Sequence, residues 1–153
     1  ANPGVSNSTN KQRAAAGVNF SDTNEKGHTF QMVIPPELDV TAVITATVYG
    51  RMGAAGSGNI EIEWSGGAQA DNEWMGTGAT TTGAVVKDVS GHGNNDSIQV
   101  ALGTVWAADA LAVGDFMHMT IFRDADSGNS EDTFGNTFQY MGVELRGTRK
   151  AAF

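Results

Sequence analysis

Residues 59–65 read Asn-Ile-Glu-Ile-Glu-Trp-Ser, a strict alternation of large apolar side chains with carboxylates. Successive side chains of an extended chain point to opposite faces. A period of two therefore puts Ile60, Ile62 and Trp64 on one side and Glu61 and Glu63 on the other. The segment is expected to be a half-buried strand, with the apolar set facing in and the two glutamates facing solvent. A strand with one apolar face needs a sheet around it and a layer to cover it.

The same period recurs along the chain. Residues 17–20 make a short first strand. Residues 28–34 place Phe30, Met32 and Ile34 on one face before Pro35 and Pro36 stop the run. In residues 41–52, Ala42, Ile44, Ala46 and Val48 form an apolar face assigned to the core, and Val43, Thr45, Thr47 and Tyr49 form the other. Strands are expected at 84–89 and 97–102, with a further piece at 104–106. In residues 115–124, Met117, Met119 and Ile121 alternate with Phe116, His118, Thr120 and Phe122. Bulk on both faces predicts a central strand or one at a subunit interface. In residues 138–146, Gln139, Met141, Val143 and Leu145 are expected to face the core, opposite Phe138, Tyr140, Gly142 and Glu144.

Small and polar clusters separate these runs. Residues 54–58 and 91–95 read as turns, and 66–83 reads as a long Gly, Ala and Thr connection. Twenty glycines, only three prolines and abundant Thr, Val, Asn and Ser suit strands joined by tight turns. No long stretch carries the 3.6-residue apolar period of a helix. About eight strands at fairly even spacing predict a single all-β antiparallel sandwich or barrel. A length of 153 residues fits one domain. Residues 17–153 are assigned to it. Residues 1–16 form a polar N-terminal arm too poor in apolar surface to fold alone, which either frays or orders against a neighbour.

Composition excludes several function classes. The absence of cysteine removes disulfides, thiolate metal sites and thiol nucleophiles, and suits synthesis in a reducing cytoplasm. The start Ala1-Asn2-Pro3-Gly4 has neither a basic nor an apolar leader region, so no signal peptide is expected. It resembles a start from which the initiator Met was trimmed. Apolar runs fall far short of the roughly 20 residues of a membrane helix, so no membrane partner is expected. The net charge of −8 argues against nucleic acid. Residues 27–145 hold three Lys and Arg against fifteen Asp and Glu, a net −12, while Lys11, Arg13, Lys26, Arg146, Arg149 and Lys150 lie near the ends. Either the acidic surface simply resists non-specific association, or the basic ends dock on an acidic neighbour.

No catalytic, cofactor or metal site is expected. His28, His92 and His118 fall in no ligand spacing. Residues 124–132 are rich in Asp, Asn and Ser, but an EF-hand register from Asp124 puts Gly135 where a bidentate glutamate is required. A polar hairpin turn is expected there instead. Glu61 and Glu63 share one strand face, whereas a glycosidase pair flanks a bond from opposite sides. Trp64 and Trp106 are assigned to the core. Trp74, beside Asp71, Asn72 and Glu73, either tucks under its loop or meets a partner.

The order of these segments carries a resemblance. Phe30-Gln-Met-Val-Ile-Pro35 leads to a long strand, followed by Ile60-Glu-Ile-Glu-Trp64. Val113-Gly-Asp115 then leads into Met119-Thr-Ile-Phe-Arg123-Asp124, followed by Asp132-Thr133 and Met141-Gly-Val-Glu-Leu-Arg146. Over about residues 17–149 the chain resembles the jelly-roll accessory structural proteins of tailed bacteriophages. Those proteins often carry an aromatic residue after Leu-Arg, where this chain has Gly147. The resemblance implies a jelly-roll sandwich, a homotrimer without catalytic residues, and a place in the virion. Of the family's roles, a capsid decoration (cement) protein bridging major capsid protein subunits is expected. Lys11, Arg13, Trp74, Arg149 and Lys150 are the candidate partner-binding residues. A receptor- or carbohydrate-binding module of a tail fibre or spike is the alternative, with Trp74 stacking on a sugar.

Overall fold

A computed structural model describes residues 18–21, 23, 26–71, 73, 78–125 and 130–151. Its eight strands are β1 (Val18–Phe20), β2 (Lys26–Val33), β3 (Ile44–Met52), β4 (Asn59–Gln69), β5 (Ala79–Asp88), β6 (Ser97–Trp106), β7 (Phe116–Arg123) and β8 (Phe138–Arg146). They form two four-stranded sheets in the orders β1-β8-β3-β6 and β2-β7-β4-β5, with every pairing antiparallel. Strands pair first with last, second with seventh, third with sixth and fourth with fifth. The fold is the expected all-β sandwich of two antiparallel sheets. Residues 1–17, including the proposed arm with Lys11 and Arg13, lie outside the described residues.

The core between the sheets follows the period-two pattern. Ile60, Ile62 and Trp64 of β4, Ile44, Ala46 and Val48 of β3, and Met117, Met119 and Ile121 of β7 are all buried. Trp106 is buried too, and β7 is a central strand. Trp64 Nε1 donates to Thr81 Oγ1 (3.3 Å), whose hydroxyl donates to the Val105 carbonyl, tying β5 to the other sheet.

Four expectations need correction. Residues 66–83 are not one long connection. β4 runs to Gln69 and pairs with β5 from Ala79, as Ala68 opposite Ala79 and Gly66 opposite Thr81. The small residues there serve close packing. A Cβ on Gly83 would lie 2.2 Å from the Trp64 ring, and one on Gly66 would lie 2.7 Å from the His118 carbonyl oxygen.

Residues 97–106 form one strand rather than two. The β3–β6 register skips Leu102 and Val105, two bulges that leave both residues buried.

The inward face of β8 changes along its length. The β3–β8 register skips Met141 between Gly50↔Tyr140 and Tyr49↔Gly142. Before that bulge Phe138 and Tyr140 point into the core, contrary to expectation. After it Val143 and Leu145 pack against the core as expected.

The connection after β7 is not a hairpin turn, because β7 and β8 belong to different sheets. Residues 126–129 lie outside the described residues. Residues 130–136 are held by Arg123, whose side chain is fully buried. Its Nε donates to Asp132 Oδ2 at 2.7 Å and its Nη2 to Asp132 Oδ1 at 2.6 Å. Further bonds reach the Asn136 carbonyl at 2.5 Å and the Phe134 carbonyl. The same Asp132 carboxylate accepts from Glu61 N, and Thr133 Oγ1 accepts from Asn59 N. This clasp joins Arg123 with Asp132-Thr133, two of the segments on which the family resemblance rests.

Candidate interaction surfaces

Three surface features follow from this frame, and the first is the C-terminal segment. After β8 the chain runs beside Leu38. Asp39 N donates to the Thr148 carbonyl (2.8 Å), Arg149 forms an antiparallel bridge with Leu38, and Lys150 N donates to the Glu37 carbonyl (2.9 Å). These backbone bonds fix where Arg149 and Lys150 emerge, and both are exposed. Arg146 is already engaged, with its Nε 2.9 Å from Glu144 Oε1. Arg149 and Lys150 form no such ion pair among the described residues. Lys150 stands near enough to Asp39 to help, as a minor cause after the hydrogen bonds from Thr41, in holding that carboxyl below its ordinary range. Gly147 packs closely on Leu38: a Cβ there would come 2.4 Å from Leu38 Cδ1. Leu38 thus occupies space that an aromatic residue at this position would need. Beside it an apolar cleft of about 210 Å³ is lined by Met32, Ile34, Pro35, Ile44, Met117 and Leu145, with Leu38 and Gly147.

The second feature is the outer face of the β2-β7-β4-β5 sheet. Cross-strand register arranges its side chains in rows. Thr29, Thr120, Ser65 and Thr82 form one row, and the Thr29 and Thr120 hydroxyls lie 2.8 Å apart. The next row is Gln31, His118, Gly67 and Thr80, and the one after it is Val33, Phe116 and Gln69. None of these eleven residues is a carboxylate, lysine or arginine. Val33 is 59% exposed and Phe116 38%. Gln69 is 5% exposed, and neither end of its amide has a hydrogen-bond partner, nor does His118 Nδ1. A Cβ on Gly67 would lie 2.8 Å from the His118 ring and 3.0 Å from Gln69 Nε2, so glycine makes room for both. Leaving a buried polar atom unsatisfied costs about 1–3 kcal/mol.

The third feature closes the other end of that face. Glu61, Glu63 and Asp124 bring three carboxylate oxygens within 4.8 Å of one another. Asp124 N donates to the Glu61 carbonyl at 3.2 Å, so the juxtaposition follows from β4–β7 pairing. Hard cations bind clustered oxygens of this kind, and half-buried carboxylates also gather on strand faces without one. The sequence places Glu61 and Glu63 together on one strand face and Asp124 at the end of a different strand, where the polar stretch 124–132 begins. It does not show the β4–β7 register that joins them.

Of the candidate partner-binding residues, the structure places Arg149 and Lys150 together at the C-terminal segment. Lys11, Arg13 and Trp74 lie outside the described residues. Asp71 and Glu73, which flank Trp74 in sequence, are exposed. The uncharged face is not visible from sequence because the connection expected at 66–83 takes in the last four residues of β4, and with them the alignment of Gly67 and Gln69 with β7. No protein-family model, curated protein or solved structure matches the chain.

Proposed function

We propose that the chain is a virion structural protein of a tailed bacteriophage, a decoration protein that bridges major capsid protein subunits on the head. One observation carries the reading: Arg149 and Lys150 project from a segment fixed by backbone bonds at the border of a strongly acidic body. A fixed basic segment on an acidic domain suits docking in one orientation on an acidic neighbour. Like charges elsewhere oppose docking in other orientations. The nested all-β sandwich and the family resemblance support the same role. In this reading the protein is made in the host cytoplasm, forms homotrimers, and ends on the capsid surface, binding neither nucleic acid nor membrane. It stabilises the head by adding contact area across seams that internal pressure would otherwise open. Lys11 and Arg13 of the N-terminal arm are the second basic contact.

Co-sedimentation with phage shells stripped of this chain tests the proposal. The intact chain should pellet with the shells. A variant lacking residues 1–16, with an unchanged circular dichroism spectrum, should remain in the supernatant. Equal binding by the truncated form would refute the role of the arm. The alternative, a carbohydrate-binding tail module, draws on the exposed Asp71 and Glu73 beside Trp74. It predicts glycan-array binding that Trp74→Ala abolishes.

A further inference from the structure

We infer that the uncharged rows on the outer face of the β2-β7-β4-β5 sheet are where this chain meets a second copy of itself. The inference names a contact within the proposed assembly, yet it stands on the charge pattern alone. The three rows Thr29–Thr120–Ser65–Thr82, Gln31–His118–Gly67–Thr80 and Val33–Phe116–Gln69 span the sheet without a carboxylate, lysine or arginine, and all of them but the buried Gly67 and Gln69 are exposed or half-exposed, so the contact face is the other nine. Carboxylates flank the rows at both ends: Glu61, Glu63 and Asp124 at one, and the exposed Asp71 and Glu73 just past Gln69 at the other. The outer face of the opposite sheet, by contrast, carries Arg51, Glu144 and Arg146.

Each copy bears a net charge of −8. Two such bodies repel when their acidic surfaces approach, and that repulsion is what normally keeps a protein of this charge monomeric. A contact between identical chains is therefore least opposed where one side of it lacks carboxylates, and these rows are such a place. Their composition also fits. The centres of protein interfaces are depleted in charge and enriched in aromatic residues, and here Phe116 and Val33 stand directly opposite each other, both exposed. The hydroxyl row can both donate and accept, so it can pair with another neutral polar row, including its own. A strongly basic partner would be drawn to the acidic surfaces instead, and an anionic partner to the Arg149–Lys150 segment. A second copy is the occupant that this neutral face favours.

The test is sedimentation equilibrium of the purified full chain, without shells, from about 1 to 100 μM in low and high salt. Oligomers should form in both, with no weakening at high salt, because screening removes repulsion and costs a neutral contact little. Gln31→Glu and Val33→Glu, both at exposed positions, should each weaken association at least tenfold while leaving the melting temperature of the monomer unchanged. Gln99→Glu, exposed on β6 of the other sheet, should leave association intact. If Val33→Glu folds poorly, Gln31→Glu decides the question. A chain that stays monomeric throughout would overturn the inference, and so would oligomers that survive Gln31→Glu. Neither result bears on shell binding, which the co-sedimentation experiment reads separately.

Discussion

Arg123 and Asp132 form a two-pronged ion pair with side chains 0% and 2% exposed, binding the loop that follows β7 to the start of β4. The arginine also donates to the carbonyls of Phe134 and Asn136 and lies 5.6 Å over the Phe134 ring. Asp132→Ala leaves a buried guanidinium without its counter-charge, which costs about 3–5 kcal/mol. Urea titration should show that loss as a lower midpoint. Arg123→Met combined with Asp132→Leu removes both charges and should cost less than Asp132→Ala alone.

Gly50 has no room for a side chain. A Cβ there would sit 2.1 Å from Phe138 Cζ, with the ring fixed in the core by the register of β8. Gly50→Ala should destabilise by about 1–3 kcal/mol through overpacking. In a Phe138→Leu background the added methyl should cost less, and a double-mutant cycle would read the coupling.

The chain has two tyrosines, and both resist ionisation in the folded state. Burial against Phe20, with ring centroids 5.3 Å apart, pushes Tyr140 up to about 12. Tyr49 is raised chiefly because its hydroxyl donates to Glu144 Oε2 at 2.8 Å. In the unfolded chain both ionise near pH 10. Stability from Tyr140 is thus complete below pH 10 and drains away as pH rises toward 12. Absorbance titration at 295 nm should show little phenolate at pH 10. The later rise should coincide with loss of the circular dichroism signal, and Tyr140→Phe should shift that unfolding to higher pH.

At the acid end, the hydrogen bond from Arg146, then that from Tyr49, holds Glu144 below the ordinary carboxylate range. That contribution is present above about pH 4.5, the ordinary glutamate value, and is lost as pH falls through the lowered folded value. Tyr49→Phe should raise the Glu144 pKa in a carboxyl-detected NMR titration. No change would mean that the Tyr49 bond does not hold in solution.

Much of the fold was legible because alternation survives wherever large apolar residues mark one face. Ile60, Ile62, Trp64, Met117, Met119 and Ile121 all lie where parity put them. Arg123 shares the parity of the buried Met117, Met119 and Ile121, but parity alone does not announce the Asp132 carboxylate that makes its burial possible. Bulges were not legible: one unpaired residue at Met141 turns Phe138 and Tyr140 inward, and only the pairing with β3 reveals it. Gly66 and Gly83 looked like loop because glycine reports backbone freedom in sequence, whereas here it reports the closeness of His118 and Trp64. The uncharged face depends on long-range register and could not be seen before the strands were paired. The charge of Arg149 and Lys150 is plain in the sequence, whereas the backbone bonds that fix where they emerge, beside Glu37 and Leu38, are not.

Cryo-electron microscopy of purified virions that carry this chain tests the assembly role most directly. The expected result is density for the eight-stranded sandwich in many copies on the head, seated across the seams between major capsid subunits, with the Arg149–Lys150 segment turned toward the shell. Density confined to the tail tip, or heads bearing none, would contradict it.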